Sequence, residues 1–168
     1  MPTTVEFQRT STHTIQPRPG GGLRYVPSIP ANPRLYVINN NGPYIGTSTN
    51  VKARFAPRKH VLWEMGVNPA GILIEIFRIS IGGTPTTVND LGQCSVDVEA
   101  AVNVWVTAIV DVEQLLIRIY TQVYGVNVRN TAKWQNAFVN PFPDALDWSI
   151  ADGNGIVANG QIAYNGSL

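Results

Sequence analysis

The run from Ile72 to Ile81 constrains the fold of this chain more than any other segment. Seven of its ten residues are apolar and five of those are isoleucine, and the run is bounded by Gly71 and by Gly82-Gly83. β-Branched and aromatic side chains favour strands, and a short, nearly continuous apolar run between glycines is typical of a strand buried in a sheet. The sequence therefore predicts a long central strand here.

A hairpin and a helix precede this strand. Leu35–Ile38 and Tyr44–Gly46 are strand-like, and the turn-forming residues 39–43 (Asn-Asn-Asn-Gly-Pro) separate them, which predicts a β-hairpin. Thr49 or Asn50 can cap a helix through residues 51–55, and Pro57 interrupts it.

The segments on either side differ in character. Residues 1–33 contain six prolines and three consecutive glycines, which predicts an extended or disordered arm. Further on, five apolar residues recur at three- and four-residue steps, which predicts a helix with one buried face: Val112, Leu115, Leu116, Ile119 and Val123. Residues 140–168 are acidic and glycine-rich, and we expect a short β-rich tail packed on the domain.

The charge is divided unevenly along the chain, although the net charge is only +1. Residues 1–60 hold eight Lys or Arg and one acid, a net +7, whereas residues 61–168 hold four Lys or Arg and ten acids, a net −6. Such asymmetry indicates a basic half that faces an anion, and nucleic acid is the expected partner. A basic arm without a partner would give the same distribution.

Other classes of site and of targeting segment lack their sequence signals. The single cysteine, Cys94, cannot form an internal disulfide, and there is no zinc-type cluster, Walker-type phosphate loop or nucleophile elbow. No apolar run is long enough to span a bilayer, and residues 1–22 lack the apolar centre of a signal peptide. We therefore expect a soluble protein that acts in the cytoplasm or is delivered by a dedicated secretion system.

The hairpin and the segments that follow it resemble the GIY-YIG nuclease superfamily. That family has a tyrosine on each hairpin strand, and an arginine on the next helix ten residues after the second tyrosine. Tyr36, Tyr44-Ile45-Gly46 and Arg54 reproduce this pattern. Glu113 precedes Leu116-Ile117 as the family's glutamate precedes its Leu-Ile pair, and Asn127 or Asn130 occupies the place of the family's asparagine.

The resemblance implies a small α/β domain over residues 34–139, with a central three-stranded antiparallel sheet flanked by helices. It also implies a metal-dependent endonuclease, with double-stranded DNA the expected substrate. Tyr36 would act as or orient the general base, Tyr44 would support phosphate or water, and Arg54 would stabilise the developing charge. Glu113 would hold Mg²⁺ or Mn²⁺, and the asparagine would order the pocket.

Several roles stay open at the level of sequence. His60 is a further candidate for proton transfer, and Lys52, Arg58 and Lys59 are candidates for phosphate contacts. Each of these side chains could instead be an ordinary strand tyrosine or a solvated charge. The same residues fit a nuclease toxin or phage-associated nuclease, and also a non-catalytic module that binds nucleic acid or has a structural role.

The charge asymmetry leads to a test of nucleic-acid binding. Each phosphate contact made by Lys or Arg contributes about −0.9 to the slope of log affinity against log salt concentration on duplex DNA. Replacing Lys52, Arg58 and Lys59 by alanine should weaken binding to all sequences alike and flatten that slope by up to about 3. A salt titration that gives the wild-type slope would show that these charges only solubilise the surface.

Overall fold

The computed structural model describes residues 4–29, 34–39, 42–48, 50–54, 68, 70–89, 92–130 and 146–162. The strands, in chain order, are β1 (Thr4–Pro17), β2 (Leu23–Val26), β3 (Arg34–Asn39), β4 (Pro43–Ser48), β5 (Leu73–Ile81), β6 (Thr84–Thr86), β7 (Gln93–Ala101), β8 (Val104–Asp111), β9 (Leu146–Asp152) and β10 (Gly155–Ile162). The helical segments are α1 (Val51–Arg54), α2 (Val112–Arg118) and a π-helical turn (Ile119–Val123). None of these helices is both long and apolar enough to cross a bilayer.

β5 is a central strand, as its isoleucine-rich sequence predicts. It pairs antiparallel with β1 on one side and with β3 on the other. The predicted hairpin is also confirmed, because β3 pairs antiparallel with β4 and Tyr36 lies opposite Gly46. The helix cap is confirmed at Asn50, whose side-chain Oδ1 accepts a hydrogen bond from the backbone N–H of Ala53 at 3.0 Å.

The predicted fold class, a small three-stranded sheet flanked by helices, is wrong. The described chain is mostly β, and its main sheet has eight strands in the order β10-β9-β1-β5-β3-β4, with β2 paired to β1 and β6 paired to β5. The sheet is mixed, since β1 and β9 run parallel while the other pairs are antiparallel. β7 and β8 form a separate two-stranded ribbon.

The N-terminal segment begins with a strand of the main sheet, whereas the sequence predicted an extended or disordered arm. β1 lies inside the main sheet between β5 and β9, and its Val5 and Phe7 are fully buried. Four of the six prolines and all three consecutive glycines that suggested an arm follow this strand, in the connection from β1 to β2 and beyond. Further along the chain, β9 and β10 form an antiparallel hairpin inside the main sheet, and β10 is the edge strand of the described sheet on that side.

A bulge in β1 lets one strand serve two cores. The register with β5 shifts between Arg9 and Ser11, and one extra residue moves the following side chains to the opposite face. Phe7 therefore packs into the core beneath α2, whereas Ile15 packs into a second core on the other face of the sheet. The main sheet is covered on both faces as a result.

The helix predicted from the apolar residues that start at Val112 begins directly after a strand. Residues 93–111 form the β7–β8 ribbon, and α2 begins at Val112. Asp111 caps α2, because its Oδ1 accepts a hydrogen bond from the backbone N–H of Gln114 at 2.9 Å. Of the apolar residues that predicted the helix, Val112, Leu115, Leu116 and Ile119 are fully buried, whereas Val123 is exposed.

The interior position of β1 can be tested with one pair of variants. Phe7→Ala removes a fully buried ring and should lower the free energy of unfolding by about 3–5 kcal/mol. Gln8→Ala, on the next residue of the same strand but exposed, should change it by about 0.5 kcal/mol or less. Urea denaturation measures both, and equal effects would contradict the placement of β1 in the core.

Candidate functional site

The two hairpin tyrosines project from the same face of the sheet. Tyr36 of β3 lies opposite Gly46 of β4, and Tyr44 of β4 lies opposite Ile38 of β3. Cross-strand partners share a face and side chains alternate along each strand, so both phenols lie on the side of the second core. Tyr36 is 1% exposed, whereas Tyr44 is only half-buried.

Gly46 makes room for the phenol of Tyr36. A Cβ atom built on Gly46 would lie 2.5 Å from the Tyr36 hydroxyl oxygen and 2.6 Å from Cζ, far inside van der Waals contact. The phenol therefore lies directly on the backbone of the neighbouring strand. The glycine of the Tyr-Ile-Gly sequence is thus required by close approach, because any side chain at this position would displace Tyr36.

Arg54 is brought to the same place by the short helix α1. Asn50 caps this helix, and the side chain of Val51 is fully buried in the second core, which anchors the first turn. Arg54 is the last residue of α1 and is exposed. Its guanidinium donates a hydrogen bond to the hydroxyl of Tyr36, so the buried phenol fixes the position of an exposed cation.

Glu113 reaches this edge of the sheet from the opposite face. It lies in the first turn of α2, and its Oε2 accepts a hydrogen bond from Oγ1 of Thr47 at 3.0 Å. The backbone N–H of Thr47 donates to the same carboxylate. Thr47 directly follows Gly46. The Glu113 carboxylate is therefore bonded to β4 next to the residue on which the phenol of Tyr36 lies.

The pKa values of these groups show that they share one electrostatic neighbourhood. Burial raises the pKa of Tyr36, Tyr44 and Glu113. The charge of Glu113 raises the pKa of both tyrosines further, and the charge of Arg54 lowers the pKa of all three groups. The four residues predicted from the sequence therefore lie close enough to influence one another around β4, the edge strand of the described sheet.

The two candidate asparagines occupy different positions. Asn130 is buried, and its side chain bonds the backbone of Ile45 twice: Oδ1 accepts from the N–H at 2.9 Å and Nδ2 donates to the carbonyl at 2.7 Å. It thus takes the place that a neighbouring strand would have along β4. Asn127 is exposed near the β3–β4 turn, where its backbone carbonyl approaches Gly42. The side chain of Asn130 therefore supports β4 directly.

Other predicted residues lie outside what the structure describes. His60, Arg58 and Lys59 are not among the described residues. Lys52 lies in α1, but its side chain is outside what the structure describes. Their expected roles in proton transfer and phosphate contact stay predictions.

Three further residues at the site were missed by sequence reasoning. Gly92 has a φ of +78°, and a Cβ built there would lie 3.0 Å from Cβ of Glu113, 3.3 Å from Oγ1 of Thr47 and 3.4 Å from Oδ1 of Asp111. These three side chains therefore crowd around a position that only glycine can occupy. Asp111 and Gln114 have the three-residue spacing that is typical of a helix N-terminus, so the sequence could have identified Asp111 as a capping residue. Thr47 and Gly92 had no comparable local signal.

The carboxylates at the start of α2 are chemically suited to a hard divalent cation. Burial raises the pKa of Asp111 to about 6, and the charge of Asp111 contributes to the raised pKa of Glu113. Two neighbouring, partly desolvated carboxylates repel each other, and a cation would relieve that repulsion. Among the residues that the structure describes, no group of three or more His, Cys, Asp or Glu could enclose a metal. Mg²⁺ keeps most of its waters and is commonly held by one or two carboxylates.

Comparison with known proteins adds no relative. No protein family, characterised protein or solved structure gives a significant match to this chain.

The contact between Gly46 and Tyr36 leads to a stability prediction with a matched control. Gly46→Ala forces the phenol of Tyr36 off β4 and should lower the free energy of unfolding by about 1–3 kcal/mol, as overpacking of a core does. Gly153→Ala is the control, because a Cβ there meets no atom within 4 Å and the backbone is not left-handed. Denaturant unfolding of both variants measures the difference, and a Gly46→Ala protein as stable as the control would contradict the contact.

Proposed function

We propose that this protein is a divalent-metal-dependent nuclease, an endonuclease that hydrolyses phosphodiester bonds in DNA. The observation that supports this function best is the gathering of Tyr36, Tyr44, Arg54 and Glu113 around β4, from elements up to 77 residues apart in the chain. A carboxylate, a guanidinium and two phenols are the groups that such hydrolysis uses. The resemblance to the GIY-YIG superfamily supports the proposal through the site residues and the order of the motifs. The surrounding eight-stranded sheet gives no such support, because the resemblance implied a three-stranded sheet.

Arg54 is proposed to bind the phosphate. Its planar fork can donate to two non-bridging oxygens and stabilise the negative charge that develops on them. One donor is held by the hydroxyl of Tyr36, so the guanidinium is already oriented before substrate arrives. Orientation of this kind lowers the entropic cost of reaching the transition state.

Tyr36 is proposed to position Arg54 rather than to accept a proton. Its phenol is buried and its pKa is raised by that burial, so it stays neutral at physiological pH. The resemblance implied that Tyr36 would act as or orient the general base, and a buried neutral phenol is poorly suited to act as a base itself; orientation of Arg54 is a different role. Tyr44 is half-buried, and its hydroxyl is the phenol with access to a water molecule or a phosphate oxygen.

Glu113 is the proposed ligand for Mg²⁺ or Mn²⁺, with Asp111 beside it. When bound, such an ion supplies positive charge to the phosphate and lowers the pKa of a coordinated water molecule. The residues around Glu113 hold its carboxylate in place. Thr47 does so with two hydrogen bonds, from its hydroxyl and its backbone N–H.

A structural role for the same residues is the principal competing explanation. The two bonds from Thr47 to Glu113 tie α2 to β4, and a module without catalytic activity would gain stability from them. Activity and stability must therefore be measured on the same variants.

Glu113→Gln separates the two explanations. The amide keeps an oxygen that can accept from Thr47 but loses the charge that holds a cation, so plasmid nicking in Mg²⁺ should be abolished while the unfolding midpoint stays close to that of the wild type. Glu6→Gln removes the same charge from β1 and should nick at the wild-type rate.

Arg54→Ala extends the test to the phosphate. The nicking rate should fall by a factor on the order of 10² or more, as with the loss of one charge stabiliser of the transition state. Plasmid nicking assayed with Mg²⁺ and with EDTA measures the rates of all three variants. Wild-type activity in Glu113→Gln, or no EDTA-sensitive activity in the wild type, would refute the proposed function.

A further inference from the structure

A cavity lies on the α2 face of the sheet, at the end of the helix away from Glu113. Its volume is about 450 Å³, and it lies between the π-helical turn and strands β1, β5 and β9. Glu113 is seven residues from Tyr120, the first aromatic residue of the cavity wall. That separation is roughly 10 Å along a helix that rises 1.5 Å per residue, so the cavity is distinct from the proposed catalytic residues but near them.

The floor and one wall of this cavity are apolar and aromatic. Phe77, Val126 and Ile150 are among the lining residues. The rings of Tyr120 and Tyr124 form the wall, with centroids 5.6 Å apart and planes inclined at 48°. Tyr124 is 45% exposed, so its ring is available to a ligand that enters from solvent.

A further part of the lining is polar, and its groups are held by one another. The guanidinium of Arg9 bonds Glu75 at 3.1 Å and Asp152 at 3.2 Å, and Asn39 donates a further hydrogen bond to Glu75. Two carboxylates and one guanidinium leave a local charge of −1, which disfavours a phosphate inside the cavity. The same groups offer both hydrogen-bond donors and acceptors to an uncharged planar ligand.

We infer that this cavity binds a single nucleobase, with the sugar and phosphates left at its mouth. A planar heterocycle has an apolar face for Tyr120 and Tyr124 and a polar edge for Arg9 and Glu75, and stacking on aromatic side chains is the usual way in which unpaired bases are held. The choice of ligand rests on the proposed function, since a nuclease binds nucleotides on either side of the bond that it cleaves.

The polar groups that line the cavity allow a nucleobase to be distinguished from an organic cation. A cation would gain from the local charge of −1 and from the tyrosine faces, but it would not use the donor groups of Arg9. A nucleobase uses both donor and acceptor on one edge. Competition between the two ligand classes therefore distinguishes them.

The test is an NMR titration of the intact protein with adenosine, guanosine, cytidine and thymidine at millimolar concentrations in EDTA. At least one nucleoside should saturate, with shifts at Tyr120 and Tyr124. Tyr124→Ala, and Tyr124→Leu, which keeps apolar bulk, should each weaken that binding about tenfold. Trp105→Ala is the control, because Trp105 is 62% exposed on β8 and is not among the residues lining the cavity.

The outcomes separate this inference from the proposed function. Nucleosides contain no phosphodiester bond and EDTA removes the metal, so binding does not require cleavage, and Glu113→Gln should bind like the wild type. The inference is overturned if no nucleoside saturates, if the Tyr124 variants bind like Trp105→Ala, or if tetramethylammonium displaces every nucleoside at lower concentration. Nucleoside binding in a protein that never nicks DNA would refute the nuclease alone.

Discussion

Burial of β5 on both faces is the constraint on which the rest of the described structure depends. Ile74 and Ile76 project into one core, and Phe77 and Ile79 project into the other. Each face needs its own cover, and both rows of backbone hydrogen-bonding groups need a neighbouring strand. α2 covers one face, α1 and β2 contribute to covering the other, and β1 and β3 take the two edges of the strand. The hairpin that carries the tyrosines is thereby held at the edge of a sheet that is covered on both faces.

The sequence predicted the local elements and failed on the distant ones. The hairpin, the Asn50 cap and β5 depend on turn residues, a capping side chain and an apolar run, all of which act within a few positions. β1 has a matching local signal, because Val5 and Phe7 alternate with Glu6 and Gln8, but the prolines that follow suggested an arm. Its place in the sheet is set by β9, which is more than 120 residues away, and no short-range pattern records such pairing.

The proximity of Tyr36, Tyr44 and Arg54 was more predictable than the fold because the motif spacing reflects local geometry. Ten residues separate Tyr44 from Arg54, which is enough to finish β4 and complete one capped turn. The contacts of Thr47, Gly92 and Asp111 arise only where α2 meets β4, and they could not be inferred from spacing. The position of Asn130 shows the same limit, since its role is to complete an edge that exists only in the folded sheet.

The position of β1 also determines when the molecule can fold during its synthesis. β1 leaves the ribosome first, yet its partners β5 and β9 begin at Leu73 and Leu146. Pairing across such long separations carries a large loop-closure entropy and slows folding. The Arg9–Asp152 ion pair, which spans 143 positions, can form only after Asp152 has been synthesised. The hairpin that carries Tyr36 and Tyr44 is therefore made early but gains its full support late, because the sheet stays incomplete until β9 has been synthesised.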